Sequence, residues 1–231
     1  MKHFFWLILA ALLIPFAIGG CGGSGSSESG SSLGEENFDK DASYALGMNI
    51  GASMAYDGII PDMDEVLQGM KDRLSGGETR LSDEEAQMKF QEAYYALMEK
   101  KDDEARQKET DFLVENSRKP GVIITASGLQ YEVISEGDGP KPAASDTVRV
   151  NYEGRLIDGS VFDSSYMWGE PAQFPLDRVI SGWTEGLQLM NVGSKYKFYI
   201  PSELAYGPEG GGPIPPYSPL IFEVELLEIV E

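Results

Sequence analysis

At Pro120 and Gly121 the hydrophobic rhythm of this chain changes, and that change constrains the fold more than any other feature. Upstream, apolar residues recur every three or four positions, the period of a helix. Downstream they alternate, the period of a strand. "DASYALGMNIGASMA" carries Tyr44, Gly47, Met48, Gly51 and Ala55 at helical spacing. "DMDEVLQGMKDRL" sets Val66, Met70 and Leu74 on one stripe with Leu67 beside it. A third helix opens at Ser82 and Glu85, spaced as a capping box, with Leu81 placed as a staple against Ala86. Phe90, Tyr94 and Leu97 continue its stripe, residues 99–111 are mostly charged, and Pro120 with Gly121 stops it. Continuous from 82 to 118, it would be about 55 Å long, too long to be buried in one small domain.

Past Gly121 the segments "GLQYEVI", "TVRVNYEGRL", "KYKFYI" and "LIFEVEL" each alternate apolar with polar residues. Leu129, Tyr131 and Val133 share one face of the first; Val148, Val150 and Tyr152 of the second. Tyr196, Phe198 and Ile200 share a face of the third; Phe222, Val224 and Leu226 of the fourth. They read as antiparallel strands with one wet face. Asp158 and Gly159 mark a hairpin turn with positive φ. One helix interrupts them, "SGWTEGLQLMN", with Trp183, Leu187 and Met190 in line. The expected class is α+β: a C-terminal antiparallel sheet wrapped on one short helix, preceded by an all-α domain with a long connecting helix.

The two ends of the chemistry are equally constrained. The sequence holds one His, His3, and one Cys, Cys21, so residues 22–231 contain neither. This excludes Ser-His-Asp and Cys-His catalysis, His/Cys zinc sites and disulfides in the folded part. All-carboxylate metal sites stay open on composition, but no D-x-[DN]-x-[DN]-G calcium loop is present, and neither a metal nor a cofactor is expected. The net charge of −20 repels phosphate backbones, so nucleic acid is not an expected partner.

Residues 1–20 read as a secretory signal: Lys2, an apolar run from Phe4 to Ile18, then Gly19 and Gly20. "IGGC" at 18–21 resembles a bacterial lipobox, which implies lipidation of Cys21 and anchoring to a membrane of the cell envelope, the outer membrane being the expected one. Residues 21–36 comprise that Cys and a Gly/Ser tether, whose 13 residues from Gly22 to Gly34 span roughly 20 Å as a coil. Residues 37–120 read as a helical domain with its long linker helix, and 121–231 as the strand-rich domain.

"VRVNYEGRLIDGSVFDSS", "FPLDRVISGWTEGLQLMNVGSKYKFYIPSELAYG" and "IPPYSPLIFEVELLEI" resemble an FKBP-type peptidyl-prolyl cis-trans isomerase over residues 121–231. "DASYALGMNIG", "VLQGM" and the charged helix resemble the N-terminal domain of macrophage infectivity potentiator-like FKBPs, which implies a homodimer. Six of the nine methionines lie in this region, and flexible thioethers suit adaptable interfaces. The implied activity is rotation about an Xaa-Pro amide, whose barrier is about 20 kcal/mol. No covalent bond changes, so a chain without usable His or Cys can perform it. A dry pocket that binds the twisted amide better than the planar forms lowers the barrier.

The resemblance implies the site. Trp183 would floor the pocket beneath the proline ring, with Tyr152, Phe162, Phe174, Val179 and Phe222 as walls and Ile214 closing one side. The Ile180 N–H and the Tyr206 hydroxyl would hold substrate carbonyls, and Asp163 would set a carboxylate beside the rotating amide. From residue type alone, Trp183, Val179 and Phe222 fit an ordinary core equally well, and Asp163 fits a turn. Proline-containing polypeptides are the implied substrates, and macrolides of the FK506 and rapamycin type the implied inhibitors. A holdase or surface-binding lipoprotein built on the same body is the alternative.

The chain departs from the family in a glycine-heavy loop at 207–214, in Pro219, in Gly186, and in Met167 and Trp168, which would either extend an apolar rim or pack under a neighbouring loop. The loop holds five prolines between Tyr206 and Leu220, spelling P-x-x-P twice. Lying between two strands, it reads as a flap stiffened by proline with a bendable tip at Gly210–Gly212, rather than as a polyproline ligand.

Overall fold

The computed structural model describes residues 38–230, in two compact units divided at Ile60 and Pro61. Residues 1–37, with the expected signal, Cys21 and the tether, lie outside the described residues. The division falls earlier than the boundary at 120 read from the sequence, because the second unit holds the long helix together with the sheet.

The first unit contributes α1, Lys40–Tyr56, capped by Asp39, whose carboxylate accepts from the Ala42 N–H at 2.7 Å. None of its residues is buried. The second unit begins with α2, Met63–Ser75, capped by Asp62 and ended by Gly76 in the left-handed region. Next comes α3, Asp83–Asn116, a single 34-residue helix. The expected capping box is formed: Ser82 Oγ accepts from the Glu85 N–H, and the Glu85 carboxylate accepts from the Ser82 N–H. At 1.5 Å per residue α3 is about 51 Å long. Among the described residues no helix is long and apolar enough to cross a membrane.

The sheet follows: β1 (Ile123–Ile124), β2 (Gln130–Ser135), β3 (Thr147–Arg155), β4 (Val161–Ser164), β5 (Ala172–Pro175), β6 (Lys195–Ile200) and β7 (Leu220–Val230). Its order is β1-β2-β6-β7-β3-β4, with β5 also on β3, and every pair is antiparallel. Between β4 and β5 lies a one-turn helix, α4, Ser165–Trp168, an addition to the single helix expected. Ser165 Oγ accepts from the Tyr152 N–H at 2.9 Å and so ties α4 to β3. In the β3–β4 turn only Gly159 has positive φ, not Asp158, whose carboxylate instead accepts from the Ser160 N–H.

One face of the sheet is covered by α5, Ser181–Leu187. Leu187 and Met190 are fully buried there with Val148, Val150, Val224 and Leu226. Burial of one such side chain contributes about 1.5–3 kcal/mol. The helix sits close because it carries glycines where it meets β6. A Cβ at Gly182 would lie 2.4 Å from Ile200 Cγ2, and one at Gly186 2.7 Å from Phe198 Cε1. Gly186, a weak helix former, is therefore matched to its neighbour.

The other face is not wholly wet, contrary to the alternation read from the sequence. Tyr199, on the supposedly solvated side of β6, is buried against Phe112 of α3, with ring centroids 6.1 Å apart. Asn116 Nδ2 donates to Gln130 Oε1, and Gln130 Nε2 donates to the Leu113 carbonyl, both at 2.9 Å. Both side chains are buried, and these bonds satisfy the polar atoms that burial takes from water. The end of α3 is thus part of the sheet domain's structure.

Candidate active site

Pleating and register bring six aromatic rings toward one mouth of the sheet. On β3, Val148, Val150 and Tyr152 share the buried face, and Tyr152 stands nearest the β3–β4 turn. Antiparallel pairing sets Gly154 opposite both Phe222 of β7 and Asp163 of β4. A Cβ at Gly154 would lie 2.7 Å from Phe162 Cζ and 2.7 Å from Phe222 Cε1, so the missing side chain is the space these rings occupy. β5 adds Phe174, paired with Val148. The 3-10 turn Leu176–Arg178 then delivers Val179 and Ile180 to the start of α5.

Trp183 is the centre of the cluster. Its ring meets Tyr152, Phe174 and Phe222 edge-on, at centroid distances of 5.2, 5.3 and 5.2 Å. Phe162 meets Phe222 edge-on at 5.4 Å. Such edge-to-face pairs fix the orientation of each ring. The buried Trp183 Nε1 has no hydrogen-bond partner among the described residues.

These rings line a cavity of about 510 Å³, together with Asp163, Arg178, Val179, Ile180, Ala205 and Tyr206. Nine of the ten folded-domain residues singled out in the sequence are therefore brought together. The tenth, Ile214, is not in the lining. It is 6% exposed within the hydrophobic core, and its N–H and carbonyl pair with Gly211 at 2.9 Å to close the flap tip. Arg178, Ala205 and Gly154 belong to the site without having been singled out. Met167 and Trp168 lie exposed on α4, directly after the strand that carries Phe162 and Asp163.

The polar groups are few and specifically held. Asp163 Oδ2 accepts from the Tyr152 hydroxyl at 2.6 Å, and Oδ1 accepts from the Ser164 N–H at 2.9 Å. Burial first, and then this bond to Asp163, pushes the Tyr152 phenol well above its ordinary value, so it stays a donor. The Ile180 carbonyl accepts from the Trp183 and Thr184 N–H groups, whereas its own N–H has no acceptor among the described residues. The Tyr206 ring is 44% exposed at the cavity edge. Among the described residues no cluster of His, Cys, Asp or Glu could hold a metal ion. The arrangement offers an apolar box with one carboxylate, one backbone donor, the Arg178 side chain and two phenols, of which Tyr152 is committed to Asp163. It suits binding of a ring-bearing amide by shape, without nucleophilic or metal chemistry.

Comparison with known proteins agrees with this geometry. The family described as "FKBP-type peptidyl-prolyl cis-trans isomerase" matches residues 139–227, and "Domain amino terminal to FKBP-type peptidyl-prolyl isomerase" matches 39–133. The FKBP-type 22 kDa peptidyl-prolyl cis-trans isomerase of Escherichia coli K12 is 44% identical over 203 residues, covering 84% of this chain and 97% of that protein. The outer membrane protein MIP of Legionella longbeachae is 50% identical over 131 residues, covering 56% of each chain. The FkpA isomerase of Aeromonas hydrophila is 56% identical over 126 residues, covering 54% of this chain and 47% of that one. The matches to MIP and to this FkpA thus span about half the length of those proteins. The crystal structure of FkpA from Escherichia coli superposes with a TM-score of 0.67 at 40% identity, covering 84% of this chain and 97% of the other. The chain belongs to the FKBP-type peptidyl-prolyl cis-trans isomerases.

Proposed function

We propose that this isomerase acts on Xaa-Pro bonds of exported polypeptides in a bacterial cell envelope, by stabilising the twisted amide in the Trp183 pocket. The observation that carries the mechanism is an apolar box lined by Ile180, whose backbone N–H has no acceptor among the described residues. The proline ring enters over Trp183, between Tyr152, Phe162, Phe174, Val179 and Phe222. The Ile180 N–H and the Tyr206 hydroxyl take substrate carbonyls. Leaving water removes the solvation that favours the planar, charge-separated amide, and Asp163 offers fixed charge beside the rotating bond. Macrolides of the FK506 and rapamycin type would compete for the same box. The test is proline-limited refolding of a test protein, with the parent, Asp163→Ala and Phe222→Ala. Equal refolding rates for parent and correctly folded variants would end the proposal.

The envelope reading rests on the sequence at 1–36 and on relatives such as the Legionella outer membrane protein. Mass spectrometry of the mature chain would find Cys21 diacylated, and an unmodified Cys21 would exclude the anchor. Exposed apolar residues support a homodimer: Tyr44, Leu46 and Met48 on α1, and Leu67, Met70 and Leu74 on α2. Sedimentation of the soluble chain would return twice the monomer mass. The same faces favour a second reading, a holdase. Aggregation suppression that survives Asp163→Ala and Phe222→Ala would support it. Met167 and Trp168 extend the mouth as an apolar rim for unfolded clients, and unchanged client affinity after changing both to Ser would remove them from that role.

A further inference from the structure

The connection between β6 and β7, residues 201–219, carries Ala205 and Tyr206 into the cavity lining. Two side chains of α3 hold it, and neither belongs to the pocket. Glu109 accepts from Ser202 twice, from its N–H at 2.5 Å and its Oγ at 2.9 Å. Ser202 is 2% exposed, and its carbonyl accepts from the N–H groups of Ala205 and Gly207 at 2.9 and 2.8 Å. The carboxylate therefore fixes the start of the turn that ends in Tyr206.

One turn earlier on the same face of α3, Arg106 holds the other end of the connection. Its guanidinium carbon lies 4.4 Å from the centroid of the Tyr217 ring, and Nη2 donates to the Tyr217 hydroxyl at 2.6 Å. Tyr217 is the sole non-glycine with positive φ among the described residues, at 53°. Its N–H donates to the Gly207 carbonyl at 3.0 Å. A side chain rarely adopts that backbone unless its surroundings impose it. Both anchors thus converge on Gly207, the residue after Tyr206, one through the Ser202 carbonyl and the other through the Tyr217 N–H.

We propose that Glu109 and Arg106 are positioning residues of the isomerase: α3 holds both ends of the flap so that Tyr206 stays aimed at the bound substrate. This rests on the pocket being the substrate site. The long helix is then part of the enzyme's substrate affinity as well as a connector. It acts without touching substrate, so its loss weakens binding through a looser flap and leaves the aromatic box and Asp163 in place.

The experiment uses the full chain and a proline-containing tetrapeptide, with KM and kcat measured separately. Glu109→Ala raises KM about five-fold or more, the size expected for loss of a charge-assisted hydrogen bond, and leaves kcat within about two-fold. Glu109→Gln falls between, because one acceptor oxygen remains for one of the two donors. Arg106→Met raises KM about three-fold by removing the guanidinium while keeping an apolar stem. Amide exchange at Gly207 and Tyr217 speeds up in these variants, while Val150 and Val224 in the sheet are unaffected. If Glu109→Ala does not fold, Arg106→Met decides, since Arg106 is a solvent-exposed position. KM and flap exchange equal to the parent's would overturn the proposal and leave the pocket reading intact. Loss of kcat in step with melting temperature would also overturn it, as a merely structural role. A parent chain without isomerase activity would overturn the pocket reading and this one together.

Discussion

Replacing Tyr152 by Phe isolates one interaction in the pocket. The ring stays, and with it the edge contacts to Phe174 and Trp183 at 5.7 and 5.2 Å. Only the hydroxyl that donates to Asp163 Oδ2 at 2.6 Å is lost. A hydrogen bond to a charged group contributes about 1.5–3 kcal/mol when its partner is left without compensation. Asp163 is half-buried and opens to the cavity, so water replaces part of the bond, and its Oδ1 keeps the Ser164 N–H. The expected loss of stability is therefore about 1 kcal/mol, below that range. If the hydroxyl also holds the carboxylate where the amide rotates, kcat/KM falls about five-fold, since 1.36 kcal/mol corresponds to ten-fold. Denaturant unfolding gives the first quantity and tetrapeptide isomerisation the second. The decisive comparison is a double-mutant cycle with Asp163→Ala. Tyr152→Phe is nearly silent once Asp163 is gone, because its only lost partner is already missing. A Tyr152→Phe effect of the same size in both backgrounds would refute the idea that the hydroxyl works through Asp163.

Three further outcomes follow from the same geometry. Gly154→Ala places a methyl 2.7 Å from both Phe162 and Phe222, so it costs about 1–3 kcal/mol and lowers activity more than stability alone explains; wild-type kinetics with unshifted unfolding would contradict this. Asn116→Ala leaves the buried Gln130 Oε1 without its donor and costs about 1–3 kcal/mol in denaturant unfolding, and a neutral result would mean that water replaces the amide. Tyr196, buried and donating to Glu136 at 2.9 Å, has its phenol pushed up to about 12, and Tyr199 beside Glu132 is raised in the same direction. A folded value above the unfolded one, near 10, means that the stabilisation is complete below pH 10 and fades as pH rises towards 12. The melting temperature therefore falls across that window, and Tyr196→Phe shows a shallower fall.

The elements that could be read in advance were those whose burial is decided on one side. Strands β3, β6 and β7 alternate because one face of each joins the core with α5, and the sequence pattern places Val148, Phe198 and Val224 on that face. The alternation failed at Tyr199 and Gln130, where α3 packs on the opposite face. No local pattern reports a helix that returns from earlier in the chain. Strands β1, β4 and β5 have two to four residues, too few to show a period, and they exist because a longer neighbour offers its ladder. The site divides in the same way. Its large side chains were legible through family resemblance, since Trp183, Tyr152 and Phe222 carry their chemistry in their identity. Gly154 carries none. It matters because register sets it against Phe222 across one ladder and Asp163 across another, so its meaning lies in two pairings. Ile214 is the converse case. An apolar residue in a flap suggests a wall, but two backbone bonds to Gly211 fold the tip so that the side chain joins the core. Glu109 and Arg106 looked like solvated charge on a helix, the ordinary fate of such residues. Their partners, Ser202 and Tyr217, lie in a loop whose conformation the sequence left open. The proline-rich segment that resembled a ligand motif is therefore a flap between β6 and β7, closed by the Tyr217 N–H on the Gly207 carbonyl and held at Tyr217 by Arg106 of α3.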